Sequence, residues 1–73
     1  MRQYTVLLTP DQDEGGYSVR VPALPGLHTQ GDTHAQALAN AREAIQFHLQ
    51  CLEAEGEPIP EESAAPQLAV VEV

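Results

Sequence analysis

The chain contains no lysine and no tryptophan, and only one cysteine, one phenylalanine and three arginines among its 73 residues. Each scarcity excludes something. A lone thiol, Cys51, cannot build an internal disulfide framework, so a domain this small has to find support elsewhere, most simply in a second copy. Three arginines cannot neutralise the several phosphates that nucleic-acid binding requires, and eleven acidic residues leave the net charge at −8. Direct binding of DNA or RNA is therefore not expected. No apolar run approaches the ~20 residues of a membrane span. The run Val6-Leu7-Leu8 is likewise far shorter than the roughly 7–15 apolar residues of a secretory signal. The expectation is a soluble, cytoplasmic protein with no membrane partner. What the chain does hold is 42% hydrophobic and 19% charged residues, a globular composition that fits one small domain. Its acidity serves solubility and would also steer a basic partner toward it.

Residues 3–9 are rich in β-branched and aromatic types and place Tyr4, Val6 and Leu8 on one side at period two, which predicts a strand closed by Pro10. Residues 11–16 form an acidic, glycine-ended tip, and residues 17–21 alternate apolar and polar, so the two runs read as a hairpin. Pro22 and Pro25 stiffen a corner, Gly26 and Gly31 are expected at positive φ, and a short third strand fits residues 27–30. Asp32 and Thr33 supply oxygens for a helix start, and Thr33 with Gln36 makes a capping box. The helix is predicted over residues 34–55, with Gly56 and Pro58 beyond its end and a core stripe of Leu38, Ala41, Ile45, His48, Leu49 and Leu52. A proline- and glutamate-rich connector over 57–66 leads to a last run, 68–73. It reads as a strand apolar on both faces, suited to the middle of a sheet or to a subunit contact. The order is β-β-β-α-β, an α+β fold with an antiparallel sheet and one long helix packed on one face.

No catalytic, cofactor or metal site emerges. Two-metal nuclease chemistry needs carboxylates converging from strands and a helix. The first strand has none, and Asp11, Asp13 and Glu14 sit on a turn without the ligand spacing of a calcium loop. His48 and Cys51 share a helix face but lack further zinc ligands, and no third group orients them for nucleophilic work. His28, Asp32 and His34 bracket the helix start, where capping accounts for Asp32 without a substrate. The remaining concentration is acidic: Glu53, Glu55, Glu57, Glu61 and Glu62. Carboxylates near a helix C-terminus oppose its dipole, so Glu53 and Glu55 do not strengthen the helix, and the stretch is the candidate partner-binding surface.

The hairpin with its acidic Gly-Gly tip, the run Pro22-Ala23-Leu24-Pro25-Gly26-Leu27-His28-Thr29-Gln30-Gly31-Asp32-Thr33, the segment Ala37-Leu38-Ala39-Asn40-Ala41 and the closing Gly56-Glu57-Pro58-Ile59-Pro60 together resemble the HicB-like antitoxin family. Pro22, Pro25, Gly26, Gly31, Asp32 and Thr33 are the structural signature. The resemblance implies a truncated ribonuclease-H-like sheet, no enzymatic activity, and a small basic HicA-like ribonuclease toxin as partner, masked by steric and electrostatic occlusion. Longer relatives add a C-terminal DNA-binding domain. Here residues 1–73 read as a single HicB-like domain without one. The competing reading is a stand-alone homo-oligomeric structural or adaptor domain with no toxin. A homo-oligomer, most simply a dimer, is expected in either case. Phe47 and Cys51 form a second apolar strip on the helix and, with Leu68 and Val70 of the final run, are the candidate interface.

Overall fold

A computed structural model describes residues 2–62 and 66–73. Three strands, β1 (Leu7–Pro10), β2 (Tyr17–Arg20) and β3 (His28–Gly31), form an antiparallel sheet in sequence order, followed by one helix, α1 (His34–Ala54). Leu8 pairs with Val19, and Val19 with Thr29, so these three residues share the face toward the helix. Leu7, Arg20 and His28 are likewise in register and share the opposite face. The period-two reading of the first strand holds in packing: Tyr4, Val6 and Leu8 all touch the core. Regular pairing begins only at Leu7, however, because residues 2–6 lead into the sheet without a ladder of their own.

Each turn has a visible cause. The Asp11 carboxylate accepts from the backbone N–H groups of Asp13 (3.0 Å) and Glu14 (3.1 Å), a side chain standing in for a backbone acceptor. Backbone bonds from Asp11 to Gly16 and from Gly15 to Asp11 close the hairpin tip. At the helix start, Thr33 Oγ1 accepts from Gln36 N–H at 3.0 Å, and the Gln36 side chain reaches back to accept from Asp32 N–H at 2.6 Å. The box predicted from Thr33 and Gln36 is thus present, with the return bond one residue earlier than the usual form. At the other end, Gly56 sits at φ 70°, its N–H bonds to the Glu53 carbonyl, and Glu57 N–H bonds to the Leu52 carbonyl. This is the paired 5→2 and 6→1 arrangement that terminates helices at a glycine.

The core has two parts. Val19, Ala37 and Ala41 form one, under the first half of the helix. Val21, Leu24 and Leu27 form the other, against Ile45 and Leu49 in its second half. Gly26 takes the positive φ expected of it, 89°, but Gly31 does not. Gly31 is instead a point of close approach, where an added Cβ would lie 2.4 Å from the Ala37 nitrogen. The helix therefore runs so near β3 that only alanines fit between them. This closeness corrects the predicted core stripe: Ala37 is fully buried, whereas Leu38 is 42% exposed and stands at the side.

The expected fourth strand is a second correction. Residues 66–73 join no ladder within the single chain, and Leu68 and Val70 are 91% and 97% exposed. The free side of the lead-in to β1 is already taken by the connector. There the Tyr4 hydroxyl donates to the Pro60 carbonyl, and Thr5 donates from both its N–H and its hydroxyl to the Glu62 carboxylate. Residues 63–65 of the connector lie outside the described residues.

Candidate partner-binding surface

The acidic surface is built on the helix end. Glu53 lies in the last turn of α1, Glu55 is its C-cap, and Glu57 follows the glycine stop. No basic residue accompanies them in that last turn. Glu53, Glu55, Glu57 and Glu61 are exposed. Glu62 differs, since it is half-buried and its two carboxylate oxygens receive Thr5, so it pins the connector to the sheet. The helix end thus presents several solvated carboxylates on backbone fixed by the terminal hydrogen bonds, a geometry for contacting positive charge.

The signature residues act on the fold. Pro22 and Pro25 are exposed at the outside of the corner, while Leu24, between them, is 1% exposed. Backbone bonds from Leu24 N–H to Val21 and from Leu27 N–H to Leu24 turn the chain so that all three apolar side chains point under the helix. Asn40, also within the resembling run, donates from Nδ2 to the Gln30 carbonyl at 2.7 Å and ties the helix to the edge of β3.

The histidines and the cysteine remain apart from any polar constellation. The His34 ring meets Tyr17 edge-on, with centroids 5.8 Å apart. His48 and Cys51 are half-buried on the helix. Among the described residues, no group of three or more His, Cys, Asp or Glu side chains is placed to hold a metal ion. No helix among them is long and apolar enough to cross a membrane. Of the residues named for an oligomer contact, Phe47 is 68% exposed on the helix, well separated in sequence from the still more exposed Leu68 and Val70.

Sequence reasoning missed one surface feature. An open groove of about 520 Å³ runs between the lead-in to β1 and the flank of α1. Tyr4, Val6, Leu38, Ile45 and Leu49 give it apolar walls, and Arg2 and Arg42 stand among them. The available signal was Arg42 itself, set between Leu38 and Ile45 at helical spacing on an otherwise apolar flank.

Fold and surface together define a small acidic α+β domain, three antiparallel strands backed by one helix. Residues 4–71 match the HicB-like antitoxins of bacterial toxin–antitoxin systems, and the chain belongs to that family. A UPF0150 protein of Thermoplasma acidophilum is 48% identical over 62 residues, covering 85% of this chain and 88% of the relative. One from Synechocystis is 48% identical over 59 residues, 81% of this chain and 73% of its own. An uncharacterised 14.9 kDa protein of Haemophilus phage HP1 is 40% identical over 52 residues, 71% of this chain but 39% of the phage protein.

Proposed function

We propose that the protein is a non-enzymatic, cytoplasmic antitoxin that masks a small basic, HicA-like ribonuclease toxin. Membership of the antitoxin family supplies the kind of partner. The observation that carries the reading is the exposed carboxylate group of Glu53, Glu55, Glu57 and Glu61 on a chain of net charge −8. Negative charge at a helix C-terminus costs a few tenths of a kcal/mol, roughly 0.3–1 per group. A basic partner offsets that cost, because its own charges replace the missing cations of the last turn.

A toxin that cleaves RNA must itself present a positive surface to phosphates. Carboxylates docked on that surface compete with RNA for the same cations, so occlusion is electrostatic as well as steric. An opposite field also accelerates encounter, to association rates well above the ~10⁵–10⁶ M⁻¹s⁻¹ of uncharged surfaces. Glu62 contributes by position, since Thr5 holds it and it fixes the connector that carries Glu61.

The test uses a purified basic toxin of the HicA-like kind. Its association with the wild-type chain is followed by stopped-flow fluorescence over a range of salt. Replacing Glu53, Glu55, Glu57 and Glu61 together by lysine lowers the association rate at low salt at least tenfold and flattens its salt dependence. A variant that associates as fast as wild type at every salt concentration removes the acidic helix end from the interface.

A further inference from the structure

The groove between the lead-in to β1 and the helix is an open apolar concavity, and the final segment of the chain carries strongly exposed apolar side chains. We infer that the two belong together across a dimer: residues 68–72 of one copy lie in the groove of a second, and the exchange is reciprocal. Nothing in this depends on the toxin, so it stands or falls separately from the function proposed above.

Four observations carry it. The first is charge. Two of the chain's three basic residues, Arg2 and Arg42, line this one groove, and the tail carries a single carboxylate, Glu72. At the period of a strand, Glu72 shares a face with Leu68 and Val70. That face presents two large apolar side chains followed by one acid, and the groove presents apolar walls with Arg42 on the helix and Arg2, which also lines a concavity with Glu61 and Glu62 of its own chain.

The second is reach. Leu68 to Glu72 spans about 13 Å as a strand, and Leu38 to Leu49 spans about 17 Å of helix, so the segment fits along the groove wall. The third is the path of the chain. Pro66 lines a concavity with Leu7, Arg20, His28 and the corner at residues 21–27, none of which lines the groove. The root of a chain's own tail therefore stands at a different concavity from its own groove.

The fourth is extension. The radius of gyration is 13.8 Å with a longest dimension of 44 Å, against about 11 Å expected of a compact chain of this length. The tail projects outward rather than folding back. Exposed at 91% and 97%, Leu68 and Val70 gain burial only from another molecule. Because both copies offer the same groove and the same tail, a two-fold axis satisfies both at once and leaves no open end.

Sedimentation equilibrium at tens of micromolar tests the exchange, with circular dichroism to verify the fold of each variant. The wild type is a dimer. Leu68→Asp with Val70→Asp gives a folded monomer, since neither side chain packs within its own chain. Glu72→Arg and Arg42→Glu each weaken the dimer about tenfold, because each reversal acts twice per dimer. Combining the two reversals in one chain restores most of the lost association. Gln50→Glu, on an exposed part of the helix outside the groove, leaves the dimer intact. A monomeric wild type overturns the inference. So does a dimer that tolerates the two aspartates, or charge reversals whose effects simply add in the combined variant.

Discussion

Replacing Gly31 by alanine probes the tightest contact in the fold. An ideal Cβ there would lie 2.4 Å from the Ala37 nitrogen, 2.5 Å from its Cα and 2.9 Å from the Gln36 carbonyl carbon. All three are backbone atoms near the start of the helix, so no side-chain rotation relieves them. Ordinary contact begins near 3.4 Å, so the helix must lift by about 1 Å. Lifting it separates Ala37 and Ala41 from Val19, which are now 0%, 2% and 1% exposed. Overpacking typically costs ~1–3 kcal/mol, and the backbone collision puts this case near the upper end, at about 3 kcal/mol. A domain of this size commands only roughly 3–5 kcal/mol of stability, so Gly31→Ala populates the unfolded state measurably at room temperature. The assay is urea unfolding followed by circular dichroism. Because the clash is with backbone, Ala37→Gly does not rescue the variant, and the double substitution is about 1 kcal/mol worse from helix propensity alone. Gly15→Ala is the control, in open space at φ 79°, and costs only the ~1–2 kcal/mol of a left-handed alanine. A Gly31→Ala protein within about 0.5 kcal/mol of wild type, the range of an ordinary surface substitution, refutes the close approach.

Other substitutions probe other joints. Leu24→Ala empties the centre of the second core and costs about 2–5 kcal/mol, read as a lower urea midpoint; an unchanged midpoint would show that the corner is not packed. Thr33→Ala removes the acceptor for Gln36 N–H and destabilises by about 1 kcal/mol, whereas Thr33→Ser costs little. Equal melting of both Thr33 variants would deny the cap. Micromolar protein leaves duplex DNA and RNA unshifted in a gel at physiological salt, because three arginines release too few counterions. A salt-sensitive shift would contradict that.

Much of this fold was legible in the residues, and the misses have definite causes. The helix emerges at His34–Ala54, one residue short of the predicted end, because the capping pair and the glycine stop are local chemistry. The hairpin follows from period-two alternation in the same way. Leu38 misled because periodicity finds the apolar stripe but not its most buried line; that line was fixed by Gly31, whose role is distance rather than φ. Leu24 reads as part of a chain break and Leu27 as the start of a strand, yet with Val21 they form a core cluster, since prolines mark a turn without saying which side chains it tucks inward. The final run has the composition of a strand but no partner inside one chain, and strand pairing is a long-range property that a single segment cannot specify. At the surface, the acidic stretch was evident from composition alone. The tethering of Glu62 by Thr5, 57 positions away, was not.

The most direct measurement is RNA cleavage by a purified basic toxin of the HicA-like kind, titrated with this chain. Antitoxin action predicts that cleavage falls to background near one equivalent, that added salt weakens the protection, and that the four-lysine variant of the helix end protects poorly. Undiminished cleavage at a large excess of folded wild-type protein contradicts it.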